Sequence, residues 1–225
     1  KYEAPEWKLA ESRRDEMKAH IKRSQKTAEE IKSQLITILF AGYETTALTM
    51  SWMIDEIWRN PEVLERLRAE VETLPDDGPA LAYTKLPYLQ AVIKETLRLH
   101  PVVTEVLRNL DQPLQLGPHL LPAGKAVSAS ILLAHLDEER FPAPHAFKPE
   151  RFLGRAYGPF DYLPFGGGHR RCIGAAFSTF EMQISMGLLV RNYDVSLHED
   201  APPRPTRKNL AMAPASTIPI TLRRR

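Results

Sequence analysis

Apolar and polar positions divide the chain into a helical first part and a mixed second part. Residues 1–26 are dense in Lys, Arg and Glu with few apolar anchors, the pattern of an exposed, charged helical lead-in. Thr27-x-x-Glu30 is a capping box placed just before an apolar run. The helix it opens carries Ile31, Leu35, Ile38, Leu39, Thr46, Thr49, Trp52, Met53 and Ile57. Between Leu35 and Ala41 it is apolar on nearly all sides, which predicts a buried helix reaching Arg59 and about 45 Å long. Asn60-Pro61 reads as an N-cap with proline at the first helical position, so a second helix is expected over 61–73. Pro75, Asp77-Gly78 and Pro79 make a loop; Pro87 opens a third helix that Pro101 ends. Short strands are expected at 102–108, 113–116, 125–130 and 216–223, and a last helix from about Gly174 to Arg191. The fold class is mainly α with a small β part, in a lead-in of 1–26 and a main part of 27–225.

Proline placement supports this division: only Pro5 lies in the first 60 residues, whereas nine prolines fall between Pro101 and Pro164. One cysteine in 225 residues excludes an intrachain disulfide and any multi-Cys zinc or iron–sulfur site. A net charge of +2 gives no strong attraction to nucleic acid or an anionic membrane. No run approaches the ~20 apolar residues of a membrane span, so a cytoplasmic, soluble location is the default expectation.

The strongest local signal is Phe165-Gly-Gly-Gly-His-Arg-Arg-Cys-Ile-Gly174. Three glycines clear side chains from the backbone, two arginines precede the thiol and a helix is expected to follow it. Cationic neighbours and a helix N-terminus favour thiolate, so Cys172 suits a metal ligand or a nucleophile. A buried structural cysteine beside a glycine turn is the ordinary alternative for a lone Cys. The phosphate-binding patterns Gly-x-x-x-x-Gly-Lys-[Ser/Thr] and Gly-x-Gly-x-x-Gly do not fit, and Cys-x-x-Cys-His is absent. The string resembles the haem-binding loop of the cytochromes P-450, Phe-x-x-Gly-x-Arg-x-Cys-x-Gly, with Phe165, Gly168, Arg170, Cys172 and Gly174 at the fixed positions. The resemblance implies haem b as cofactor, Cys172 as axial thiolate ligand of its iron and Arg170 on a propionate.

Ala41-Gly-Tyr-Glu-Thr-Thr46 places a carboxylate, two hydroxyls and Gly42 in the middle of the apolar helix. Buried polar groups are costly unless paired or functional. The segment reads either as a locally opened helix facing a cavity, or as Thr back-bonding with Glu44 reaching solvent. It resembles the family's oxygen-activation motif, which implies that Glu44 and Thr45 relay protons to bound dioxygen. Ala41 and Gly42 would then leave the oxygen room. Glu95-Thr-Leu-Arg98 taken alone is an ordinary helical ion pair. It coincides with the family's Glu-x-x-Arg, and Pro149-Glu-Arg-Phe152 with a further fixed segment, which implies a buried structural network of Glu95, Arg98 and Arg151. By the same resemblance Val102, Val103, Thr104 and Val106 face substrate, the turn Ala211–Pro214 adds a contact and Arg108 reaches the second propionate. An ordinary surface arginine is the alternative for Arg108, and Glu105 is an awkward charge in that segment. His100, His135 and His169 read as surface or packing residues.

The four motifs stand in the family's order, and the resemblance is expected to start near residue 27 and to cover the C-terminal half of the family's fold only: the long central helix, the Glu-x-x-Arg helix, the Cys loop and its following helix. Two functions follow. One is a haem-thiolate monooxygenase inserting one oxygen atom from dioxygen into a small organic substrate. Its electrons would come from a ferredoxin- or flavin-type donor, with a complementing N-terminal half as a further partner. The other is a truncated, catalytically inactive fragment that binds haem weakly or not at all. A helical interaction protein with a structural cysteine is a third, more distant reading.

Overall fold

The computed structural model describes Lys18 and residues 27–225. Apart from Lys18, which is helical and exposed, the charged lead-in expected over 1–26 lies outside the described residues. The chain divides into two compact units between Tyr43 and Glu44.

Helix α1, Ala28–Arg59, is unbroken over 32 residues. Its first turn is closed reciprocally: Thr27 N donates to Glu30 Oε2 at 2.7 Å, and Glu30 N donates to Thr27 Oγ1 at 3.3 Å. The expected burial of the run from Leu35 to Ala41 is not found. Leu35, Ile38, Leu39 and Phe40 are 57%, 58%, 73% and 77% exposed. The apolar period makes a helix here, but burial requires a second layer, and the described part of this unit is a single helix.

In the unit from Glu44 onward, α1 ends with Trp52, Met53 and Ile57 buried. Helix α2, Pro61–Val71, and helix α3, Pro87–Leu99, both carry proline in the first turn, where the missing N–H costs nothing. Asn60 does not cap α2; its side-chain amide turns back to donate to Glu56 O at 2.7 Å. The N-terminus of α3 is capped from another helix: Glu70 of α2 accepts from Tyr88 N at 2.7 Å and Leu89 N at 2.8 Å. Helix α4, Ile131–His135, is short and capped by Ser130 Oγ. Helix α5, Ala175–Asn192, follows the cysteine loop. The core joins α1, α2, α3 and α5 through Met53, Ile57, Leu67, Leu89, Ile93, Met182, Met186 and Val190.

Among the described residues the β part is four two-stranded antiparallel pairs. Strand β1, Glu105–Asn109, pairs with β4, Ala126–Ser130, and β2, Leu114–Leu116, pairs with β3, His119–Leu121. Strand β5, Tyr193–Leu197, pairs with β8, Ile220–Arg224, and β6, Pro205–Lys208, pairs with β7, Ala211–Pro214. The pairing Glu105↔Ser130 through Asn109↔Ala126 fixes the register of the segment read as substrate-facing. Among the described residues no helix is long and apolar enough to cross a membrane.

Candidate functional site

A buried polar cluster lies between α3 and the 3-10 turn Pro149–Phe152. Glu95 and Arg98 are both 0% exposed. Arg98 donates Nε to Glu95 Oε2 at 2.7 Å and Nη2 to Oε1 at 2.8 Å, a two-pronged pair three residues apart on one helix. Arg151 Nε adds a third bond to Glu95 Oε1 at 2.9 Å, and Lys148 N a fourth at 2.8 Å. The remaining guanidinium donors go to backbone carbonyls: Arg98 Nη1 to His135 O, and Arg151 Nη1 to Pro142 O. One carboxylate thus holds two cations, and other segments satisfy their outward donors. The cluster ties α3 to the segments at His135, Pro142 and Lys148 through their backbone groups.

His135, a residue expected at the surface or in packing, is fully buried. Its ring stacks on Tyr162 and meets Phe141 edge-on. Nδ1 lies 3.1 Å from Arg98 O and Nε2 2.8 Å from Leu163 N. Burial pushes its pKa down to about 4. His100 stacks on Trp52 at 4.2 Å, with Nε2 2.7 Å from Glu56 Oε1, and His169 is exposed. Nothing in the sequence distinguished His135 from these other histidines.

The cysteine loop is a turn held by backbone. Gly166 and Gly168 have φ of 68° and 66°, the left-handed region in which a side chain is strained. Cys172 N donates to Phe165 O at 2.9 Å and Arg171 N to Gly168 O at 3.2 Å. Phe165 is half-buried against the core, and Gly174 stands at the N-cap of α5, where an added Cβ would lie 3.8 Å from Cys172 Sγ. Cys172 itself is exposed. Arg170 and Arg171 are exposed as well, Ile173 is 93% exposed and Phe177 70%.

Arg108 is exposed and its Nη1 folds back on Leu107 O at 2.7 Å. Val102 is buried, with its carbonyl accepting from Met212 N at 2.7 Å, while Val103 is exposed and Thr104 and Val106 are half-buried. The charge on Glu105 is answered by Arg207 Nη1 at 2.9 Å and Ser128 Oγ at 2.9 Å. Glu44 is exposed, Thr45 half-buried and Thr46 buried. The helix is not opened at this point, and a Cβ on Gly42 would meet nothing within 4 Å. Ala41 and Gly42 fall in the first unit, and both are exposed.

These residues do not fit a haem as they stand. A prosthetic group of that size is held by apolar walls that exclude water, with the axial ligand at the floor. Here the one thiol, that of Cys172, is exposed. The expectation of a metal-binding haem-thiolate monooxygenase is therefore corrected by the geometry of Cys172 and its neighbours.

A protein-family model described as cytochrome P450 matches residues 6–221. The chain is 36% identical over 197 residues to putative cytochrome P450 135B1 of Mycobacterium tuberculosis, covering 88% of this chain and 41% of that protein. It is 37% identical over 185 residues to putative cytochrome P450 137 of the same species, covering 82% and 37%. Among solved structures it is similar to retinoic acid bound cyanobacterial CYP120A1, with a TM-score of 0.83, 31% identity, and coverage of 88% of this chain and 47% of that one. The chain spans about two fifths of the length of the curated relatives it matches. The expectation that the resemblance begins near residue 27 and covers a C-terminal half only is corrected. The family match takes in the charged lead-in from residue 6, and the mainly α, small-β fold of the family extends over almost the entire chain. On the match over residues 6–221, this chain belongs to the cytochrome P450 family.

Proposed function

We propose that this chain, by itself, is a catalytically inactive member of its family that binds haem weakly or not at all. The observation that carries this reading is the exposure of Cys172 together with Arg170, Ile173 and Phe177. A thiolate in water gains no low-dielectric wall around a bound iron and shares its position with solvent. What the chain retains is a scaffold. The network of Glu95, Arg98 and Arg151 serves structure, supported by its fourfold use of one buried carboxylate.

Monooxygenase chemistry in the family's sense would need a complementing polypeptide to wall the cysteine loop. A ferredoxin- or flavin-type donor is then the fitting electron source, because Arg170 and Arg171 offer exposed positive charge. A cytoplasmic location accompanies this reading. Passing the purified chain, mixed with equimolar haem, through a desalting column tests it. The chain is expected to emerge with haem far below one per protein, and Cys172→Ser is expected to retain the same amount. Stoichiometric haem retention lost in Cys172→Ser would overturn the reading.

A further inference from the structure

His135 joins three segments that the sequence keeps far apart. Leu163 N–H can only donate, so His135 Nε2, 2.8 Å away, is the acceptor. The ring proton then sits on Nδ1 and is donated to Arg98 O at 3.1 Å. Arg98 returns the bond by donating Nη1 to His135 O at 2.9 Å. The C-terminal end of α3 and the end of α4 are therefore stitched side chain to backbone in both directions. The third segment, reached through Leu163, is the entry to the cysteine loop: Leu163 O accepts from Gly166 N at 2.8 Å, and Phe165 O accepts from Cys172 N at 2.9 Å.

We infer that His135 is a positioning residue that latches the entry of the cysteine loop onto the buried Glu95–Arg98 network. The latch works only with an acceptor at the Nε2 position. The inference does not rest on haem binding, because every bond in it is within the chain.

The surroundings suit a neutral ring. Arg98 of α3 is the charged group facing it, with Glu95 held behind that guanidinium. Phe141 and Tyr162 pack on its faces and edge without charge; burial, with Glu95 adding to it, pushes the Tyr162 hydroxyl well above its ordinary range. A proton on Nε2 would place two donors nose to nose at Leu163 and a second cation beside Arg98.

Two variants separate the bonds. His135→Asn keeps a donor near Arg98 O but reaches no further, whereas His135→Gln can place an amide oxygen where Nε2 stood. Native-state amide exchange at neutral pH reads the result. In His135→Asn, Leu163 and Cys172 amides are expected to exchange about tenfold faster relative to Ile93 in α3. His135→Gln is expected to restore both. Equal behaviour of the two variants, or equal acceleration at Ile93, would overturn the inference. The unmodified chain gives a second reading that needs no variant. As pH falls through about 4, Leu163 is expected to lose protection before Ile93. Simultaneous loss at both positions, or protection of Leu163 that survives titration of His135, would contradict the latch.

Discussion

Replacing Glu95 with Gln keeps the shape of the buried cluster and removes the one negative charge that two guanidinium groups share. Breaking a buried pair in this way costs about 3–5 kcal/mol, because the surviving cation stays desolvated. Urea denaturation is expected to show a loss of that order for Glu95→Gln, and a smaller one for Arg151→Lys, which keeps the charge but only one donor direction. His135 adds a pH dependence. Burial lowers its pKa from the ordinary 6.5 to about 4, so in that window the unfolded chain binds the extra proton. Stability from this group is complete above 6.5 and falls as pH drops toward 4, by roughly 3 kcal/mol. Denaturation midpoints measured across this range are expected to slope less in His135→Gln than in the unmodified chain. The Glu-x-x-Arg spacing was legible as a pair of residues on one helix. The buried latch was not, because it depends on Leu163 and Arg98 backbone groups that no side-chain pattern announces.

At the scale of elements, close approach matters more than periodicity. The ring of Tyr83 lies against Gly187 of α5, where an added Cβ would collide with Tyr83 Cδ1 and Cγ. Gly187→Ala therefore overpacks this junction and is expected to cost about 1–3 kcal/mol in equilibrium unfolding. Arg191, which holds Leu74 O at 2.9 Å one turn later, would feel the same shift. Helix α1 behaves oppositely. Leu39 and Phe40 are exposed, so replacing both with Ser is expected to change stability by no more than about 0.5 kcal/mol per site. The same change is expected to lower binding of an apolar dye such as ANS, because it removes exposed apolar area. The run Leu35–Ala41 predicted the helix and mispredicted its burial, since periodicity reports which residues prefer to be covered and not whether a cover exists. Proline at 61 and 87 marked the starts of α2 and α3, while the cap that Glu70 supplies to α3 from another helix was hidden by the separation along the chain. Strands β3, β5, β6 and β7 were missed because they are three to five residues long and carry little alternation.

At the scale of the whole molecule, family and activity separate. The order of four short motifs was enough to read the family, and the match over residues 6–221 extends it into the charged lead-in, where no motif stood. The fixed residues of those motifs are present, yet Cys172 and Arg170 are exposed, and Arg108, which stands in none of the motifs, turns onto its own backbone. Motifs record which atoms the family's chemistry uses; they do not record the walls that make a thiolate hold iron. The chain is 88% covered by its relative from Mycobacterium tuberculosis and covers 41% of it, so family membership does not carry that protein's activity with it. The most direct test is the absorbance spectrum of the purified chain mixed with haem, reduced and exposed to carbon monoxide. The expected result is the spectrum of free haem, unchanged by Cys172→Ser. A strongly red-shifted Soret band that disappears in Cys172→Ser would show thiolate-bound iron and contradict it.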